Sequence, residues 1–306
     1  MALDPQIAPI VAAVQKAAEA GPPISEQTVE ERREAYQALS SLPGDGPQLD
    51  EVTDISIPGP DGNLAARVYR NSGATGIFVF YHGGGYTIGD LDSHDQVCRR
   101  LATQSHSTVV AIDYRLAPEH PFPAGVNDAW AALQWVDANR AELGGAGDAK
   151  IVVGGDSAGG NLSAVVALMA RDAGLDLAAQ LLVYPAVDVN DDSPSMTENA
   201  EGYVLTRQTM EWFNEQYAAD AADWRASPIL ADSHEGLATA LVITAQYDPL
   251  RDQGARYAQT LKDAGVDVTL SNYEGMAHIF FQLAPIVDAA TKAIGEVADA
   301  AKKALA

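Results

Sequence analysis

The sequence predicts an α/β fold, a mostly parallel sheet buried between two layers of helices, and three observations carry the prediction. Short β-branched or apolar runs recur at 77–80, 108–112, 151–153, 180–184, 241–245 and 266–270, each followed by polar or glycine-rich residues, as buried strands are. Alanine-rich amphipathic stretches alternate with them at 92–105, 124–140, 157–171, 251–264 and 284–305, and strand–helix alternation is what a parallel sheet covered on both faces requires. With 306 residues, 47% of them apolar, the chain can build a core without a disulfide or metal staple.

The elements follow in order. The first 45 or so residues read as helical, broken at Gly21-Pro22-Pro23, and the opening Met1-Ala2-Leu3-Asp4-Pro5-Gln6 lacks the basic start of an export signal. Residues 52–58 and 64–70 alternate in polarity around Gly59-Pro60-Asp61-Gly62, a turn that joins two strands as an antiparallel hairpin. The strand and helix runs come next, interrupted by 188–225, a stretch rich in Asp, Ser, Glu and aromatics and too long for an ordinary connection. The domain organisation expected is a helical cap made from 1–45 and 188–225, over a core made from 46–187 and 226–306.

Charge and cysteine content exclude several function classes. Lys and Arg number 19 against 42 Asp and Glu, a net charge of −23, which repels phosphate backbones and anionic lipid head groups and argues against nucleic-acid and membrane-surface partners. No apolar run approaches the roughly 18–20 residues of a membrane span. Cys98 is the only cysteine and has no Cys/His cluster beside it, so neither redox chemistry nor a thiolate metal site is indicated, and a reducing cytoplasm fits. Sheet edges and terminal helices would permit a homodimer.

Gly155-Asp156-Ser157-Ala158-Gly159 lies between a strand and a helix, the setting of a nucleophile elbow, in which the serine Oγ stands exposed at the carboxyl end of the sheet. A phosphate-binding turn is the other chemistry that glycines serve, but the lysine of GxxxxGK[ST] is missing and neither glycine cluster keeps GxGxxG spacing. His82-Gly83-Gly84-Gly85-Tyr86 follows the strand at 77–81, and the Gly83, Gly84 and Gly85 amides, with that of Ala158, would form an oxyanion hole. A serine nucleophile needs a base and the base an orienting acid. His278, after the last strand, is the base expected. His94, His106, His120 and His234 sit in helical or loop contexts, and His82 is better placed to anchor the glycine loop. Asp248 ends the run from Leu241 and gives the chain order Ser…Asp…His, with Asp188 and Asp252 as competitors for its role. Tyr86, Tyr203, Trp212 and Phe213 would line a pocket, and Asp156, beside the serine, is counted with them as a substrate contact.

His82-Gly-Gly-Gly, Asp113-Tyr-Arg-Leu-Ala-Pro-Glu-His, Gly155-Asp-Ser-Ala-Gly-Gly, Tyr247-Asp-Pro-Leu-Arg-Asp and Gly275-Met-Ala-His occur together and in order. On these motifs the chain resembles the hormone-sensitive-lipase-like, family IV bacterial esterases, in the branch with Asp before the nucleophile. The resemblance implies an α/β-hydrolase fold with a helical cap, the triad Ser157, Asp248 and His278, and Gly84 and Gly85 as the donating glycines. The activity expected is cofactor-free hydrolysis of small carboxylic esters, of about two to eight acyl carbons if bulky walls close the pocket. Amide or formamide hydrolysis and acyl transfer use the same triad, and a non-catalytic receptor on the same fold would lack one of its members.

Overall fold

The computed structural model describes residues 2–306; Met1, the first residue of the 1–45 segment, lies outside them. Eight strands form one sheet: β1 (Glu51–Gly59), β2 (Gly62–Arg70), β3 (Ile77–Tyr81), β4 (Thr108–Asp113), β5 (Ile151–Asp156), β6 (Ala179–Val183), β7 (Thr239–Tyr247) and β8 (Val268–Ala277). Their order is β1-β2-β4-β3-β5-β6-β7-β8. The β1–β2 hairpin, which closes at Gly59 opposite Gly62, and the β2–β4 pair are antiparallel. All remaining pairs are parallel.

Side-chain alternation divides the core. Ile77, Val79 and Tyr81 of β3 pack in the layer that holds α4 (Ala124–Ala138), α6 (Ala158–Ala173) and α9 (Arg251–Asp263). Phe78 and Phe80 face the opposite layer, with α3 (Asp95–Ser105) and α10 (Asp288–Leu305). Because β3 is covered on both faces, its five residues are apolar without alternation and all buried.

Helices α1 (Ala8–Ala20) and α2 (Val29–Ser40) precede the sheet. A capping box between Thr28 and Glu31 starts α2. The lead into α1 is tied to the core: Ile7 and Val11 pack in the α3/α10 layer, and the Asp4 amide donates to the Gly275 carbonyl at 3.0 Å. Between β6 and β7 lie α7 (Pro194–Glu198) and α8 (Arg207–Tyr217), the latter capped by the Thr206 side chain. A short α5 (Arg140–Gly144) follows α4, so the single helix expected over 124–140 is broken at Asn139. No helix among the described residues is long and apolar enough to cross a membrane.

The last strand differs most from the expectation. The run 266–270 marks only its beginning, and β8 continues to Ala277. It is an edge strand whose first half is largely exposed, so its polar residues hid its length. The consequence is positional: His278 follows directly from the carboxyl end of β8. The final helix also starts later than expected, at Asp288, after a 3₁₀ turn at Phe280–Leu283 and Pro285.

Candidate active site

Ser157 occupies the turn from β5 into α6 with φ 55° and ψ −116°, a conformation that L-residues rarely adopt. Its amide is held by the Val183 carbonyl at 2.9 Å. The flanking glycines serve close approach: a Cβ on Gly159 would meet both the Tyr81 and His82 carbonyls, and one on Gly155 would meet that of Tyr81. The carboxyl end of β3 thus presses directly against the elbow, which brings the glycine loop beside the serine.

His278 and Asp248 arrive from β8 and β7. Ser157 Oγ lies 3.0 Å from His278 Nε2, and His278 Nδ1 lies 2.7 Å from Asp248 Oδ2. A carboxylate only accepts, so the imidazole proton resides on Nδ1 and Nε2 is left to accept from the serine hydroxyl. Asp248 is fully buried, and its second oxygen accepts the Leu250 amide at 2.9 Å. The Tyr184 ring packs 4.5 Å from the imidazole. The competing acids are engaged elsewhere: Asp188 pairs with Arg256 at 2.7 Å, and Asp252 pairs with Arg251 and accepts the Ser195 amide.

The glycine loop is fixed from beneath by Asp156. The Gly83 amide donates to Asp156 Oδ1 at 3.0 Å, so it is spent within the protein and Gly83 is removed from the expected oxyanion donors. Gly84, Gly85 and Ala158 line the cavity together with Ser157 and His278, whereas Gly83 does not. Asp156 also lines the cavity, but its carboxylate is engaged within the protein. Besides Gly83, its carboxylate accepts Gln282 Nε2 at 3.1 Å and the Tyr184 hydroxyl at 3.4 Å, and His94 Nε2 lies 3.2 Å away. Burial alone would raise its pKa, but His94, Gln282 and the Gly83 amide outweigh that and hold the carboxyl below its ordinary value. Gln282 also donates to the Tyr36 hydroxyl on α2 at 2.6 Å. Neither Gln282 nor Tyr36 stands out in the sequence, because they meet the elbow only across the folded molecule.

His82 sits under the same loop, stacked on Tyr114 at 4.4 Å, with Nδ1 2.7 Å from the Gly83 carbonyl. Burial, with His94 alongside, pushes its pKa down to about 4. It is therefore neutral at neutral pH and works as an uncharged prop.

The triad geometry opens into a cavity of about 820 Å³, within the size range of small-molecule sites. Tyr86, Tyr203 and Phe213 line it, with Leu250 and residues of α1 and α2. Tyr86 is stacked on Tyr217 at 3.8 Å and Tyr203 on Tyr247 at 4.9 Å, so both walls are braced from behind. Trp212 is not among the lining residues; it is buried and meets Phe213 edge-on at 5.4 Å. Neighbours on a helix point about 100° apart, so Phe213 faces the cavity and Trp212 packs within the protein.

Known proteins share this fold and much of this sequence. A family model for the α/β-hydrolase fold matches residues 78–282. The chain is 45% identical to the carboxylic ester hydrolase LipN of Mycobacterium tuberculosis, over 85% of this chain and 72% of that protein. It is 36% identical to the ethyl acetate hydrolase of Pseudomonas putida over the whole of both chains. Among solved structures, a hyperthermophilic esterase from the archaeon Pyrobaculum calidifontis superposes with a TM-score of 0.92 at 41% identity, covering 99% of each chain.

Proposed function

The chain belongs to the α/β-hydrolase fold family, in its hormone-sensitive-lipase-like branch, and we propose that it hydrolyses carboxylic esters through Ser157, His278 and Asp248. Ser157 Oγ attacks the ester carbonyl while His278 Nε2 takes its proton, and Asp248 holds the imidazole in the required tautomer and stabilises the imidazolium. The Gly84, Gly85 and Ala158 amides receive the oxyanion, where one donor is worth roughly 2.7–4 kcal/mol. Collapse of the tetrahedral species expels the alcohol with the proton from His278. Water, activated by the same imidazole, then attacks the acyl-enzyme and releases the acid.

The observation that carries this reading is the continuous relay, 3.0 Å from serine to imidazole and 2.7 Å from imidazole to carboxylate, opening onto the glycine loop in one cavity. A receptor would have no use for a buried carboxylate aligned behind a histidine. The bounded cavity favours acyl groups of about two to eight carbons, since each buried methylene gains about 0.8 kcal/mol only until the walls are met; the name of the Pseudomonas relative points the same way. Buried Cys98 as the lone cysteine suits a reducing cytoplasm, and the free edge at β8 suits a homodimer. Helices α1, α2, α7 and α8 are the cap of this reading.

The test is Ser157→Ala, assayed on p-nitrophenyl esters, matching amides and added acyl acceptors. A loss in kcat on the order of 10⁵–10⁶ is expected on esters, with the fold retained by circular dichroism. Ester turnover within tenfold of the parent contradicts the proposal, and faster turnover of amides or transfer to acceptors reassigns the reaction.

A further inference from the structure

The cavity wall holds a charged group that the protein itself does not answer. Arg32, Ala35, Tyr36 and Leu39 form the face of α2 that lines the cavity, the spacing of one side of a helix. Tyr36 is the residue bonded to Gln282 beside Asp156, and Arg32 stands one turn, about 6 Å along the axis, from it.

Of the 13 arginines in the sequence, 11 pair with a carboxylate, and Arg100 bonds Gln96. Arg32 does neither. Among the described residues its Nε is buried with no hydrogen-bond partner, and its guanidinium lies over the Trp212 ring, 5.9 Å from the centroid. Its neighbour Arg33 shows the contrast, held by both oxygens of Glu119 at 2.8 Å. Burial pushes the Arg32 guanidinium down from its ordinary value, while Glu119 pushes that of Arg33 up.

In a chain with net charge −23 a cation is easily paired, so an unpaired one in the substrate cavity calls for a physical reason. The ring contact lies at the limit of a cation–π interaction and is weak compensation for an N–H withdrawn from water. Arg32 is the only Lys or Arg among the lining residues. The carboxylates on the same wall are Glu19 and Glu201, both exposed, and Asp156, whose oxygens are already engaged. A planar guanidinium fork with open donors matches a carboxylate in geometry and charge.

We propose that Arg32 is a specificity-determining residue that receives an anionic group of the substrate, so that the favoured esters carry a carboxylate at the far end of the acyl chain or on the alcohol. This rests on ester hydrolysis at Ser157 and adds the substrate's charge to it.

Two pairs of equal length test it: mono-p-nitrophenyl glutarate against p-nitrophenyl pentanoate for the acyl arm, and 4-acetoxybutanoate against butyl acetate, followed by pH-stat, for the alcohol arm. The readout is the anionic-to-neutral ratio of kcat/KM within each protein. In at least one arm the ratio should fall about tenfold or more in Arg32→Gln, mostly through KM, and be partly kept in Arg32→Lys. A ratio unchanged within twofold in both arms overturns the proposal and leaves the ester reading standing, whereas a wild-type protein that cleaves none of the four esters strikes at the reading beneath it. If the variants do not fold, wild-type inhibition decides: glutarate should compete with p-nitrophenyl pentanoate at concentrations where glutaramide does not, and equal inhibition overturns the proposal.

Discussion

A methyl group on Gly85 tests whether the glycine loop holds its amides by the close packing around it. Gly85 has φ +56°, and a Cβ there would lie 2.5 Å from both Cδ atoms of Phe213, where non-bonded carbons rest about 3.5–4 Å apart. Something must move by about 1 Å. If the loop yields, the Gly85 amide is displaced from the carbonyl oxygen, and misplacement on this scale costs about 10²-fold, with 10²–10³ in kcat as the loss of a whole donor. Gly85→Ala should therefore lower kcat on p-nitrophenyl butyrate by about 10²–10³. Phe213→Ala in the same chain removes the clash, so the double variant should recover to within about tenfold of Phe213→Ala alone, a coupling of about 1.5–3 kcal/mol. The left-handed backbone lowers stability by about 1 kcal/mol with or without the ring. Steady-state kcat and KM on all four proteins of the cycle provide the measurement. Gly85→Ala within threefold of the parent, or a double variant no better than Gly85→Ala, refutes the reasoning.

Asp248→Asn keeps the shape of the acid but presents a donor to His278 Nδ1, so kcat should fall by about 10⁴, while Asp188→Asn, whose carboxylate faces Arg256, should leave kcat within a few-fold; the reverse pattern moves the acid. Gln282→Ala removes the bonds to Tyr36 and to the charged Asp156. It should cost about 2–3 kcal/mol in urea unfolding and lower kcat more than it changes KM, and an unchanged midpoint contradicts the network's role. Asp113 has its pKa raised to about 6, by burial first and then by Asp90 and Asp92. An acid whose folded pKa lies above its unfolded value of about 3.9 weakens the fold progressively as pH rises between the two. Asp113→Asn should accordingly stabilise the protein by about 1–2 kcal/mol above pH 6, after allowance for solvent screening. The gain should vanish near pH 4 in melting curves taken across that range, and a gain independent of pH excludes titration of Asp113 as its source.

The strands and helices of the sheet were legible in the sequence because covered parallel strands are short apolar runs, as Ile77–Tyr81 and residues 151–153 are. β8 was only half legible, since an exposed edge lets Thr269, Ser271 and Asn272 interrupt the apolar signal. At the site, the glycine loop, elbow, acid and base each follow a strand and carry local patterns. The fate of the Gly83 amide does not, because its acceptor is 73 residues away. Trp212 and Phe213 illustrate the same limit: both are aromatic in one segment, and only the rotation of α8 about its axis decides which meets the cavity. Gln282 is 246 residues from Tyr36 and 126 from Asp156, so no local pattern could announce that they share a network.

The most direct test of Ser157 as the nucleophile is covalent capture. An alkyl p-nitrophenyl phosphonate offers a phosphorus centre on which the serine Oγ–P bond forms as p-nitrophenolate leaves, giving a stable mimic of the tetrahedral intermediate. Intact mass, peptide mapping and residual ester hydrolysis are read on one sample, with Ser157→Ala and His278→Ala alongside. The prediction is one p-nitrophenolate released per chain, the phosphonyl mass on Ser157, activity lost in parallel, no label in Ser157→Ala and strongly slowed labelling in His278→Ala. Label on another residue with activity lost, or full ester turnover by a chain already modified at Ser157, would contradict it.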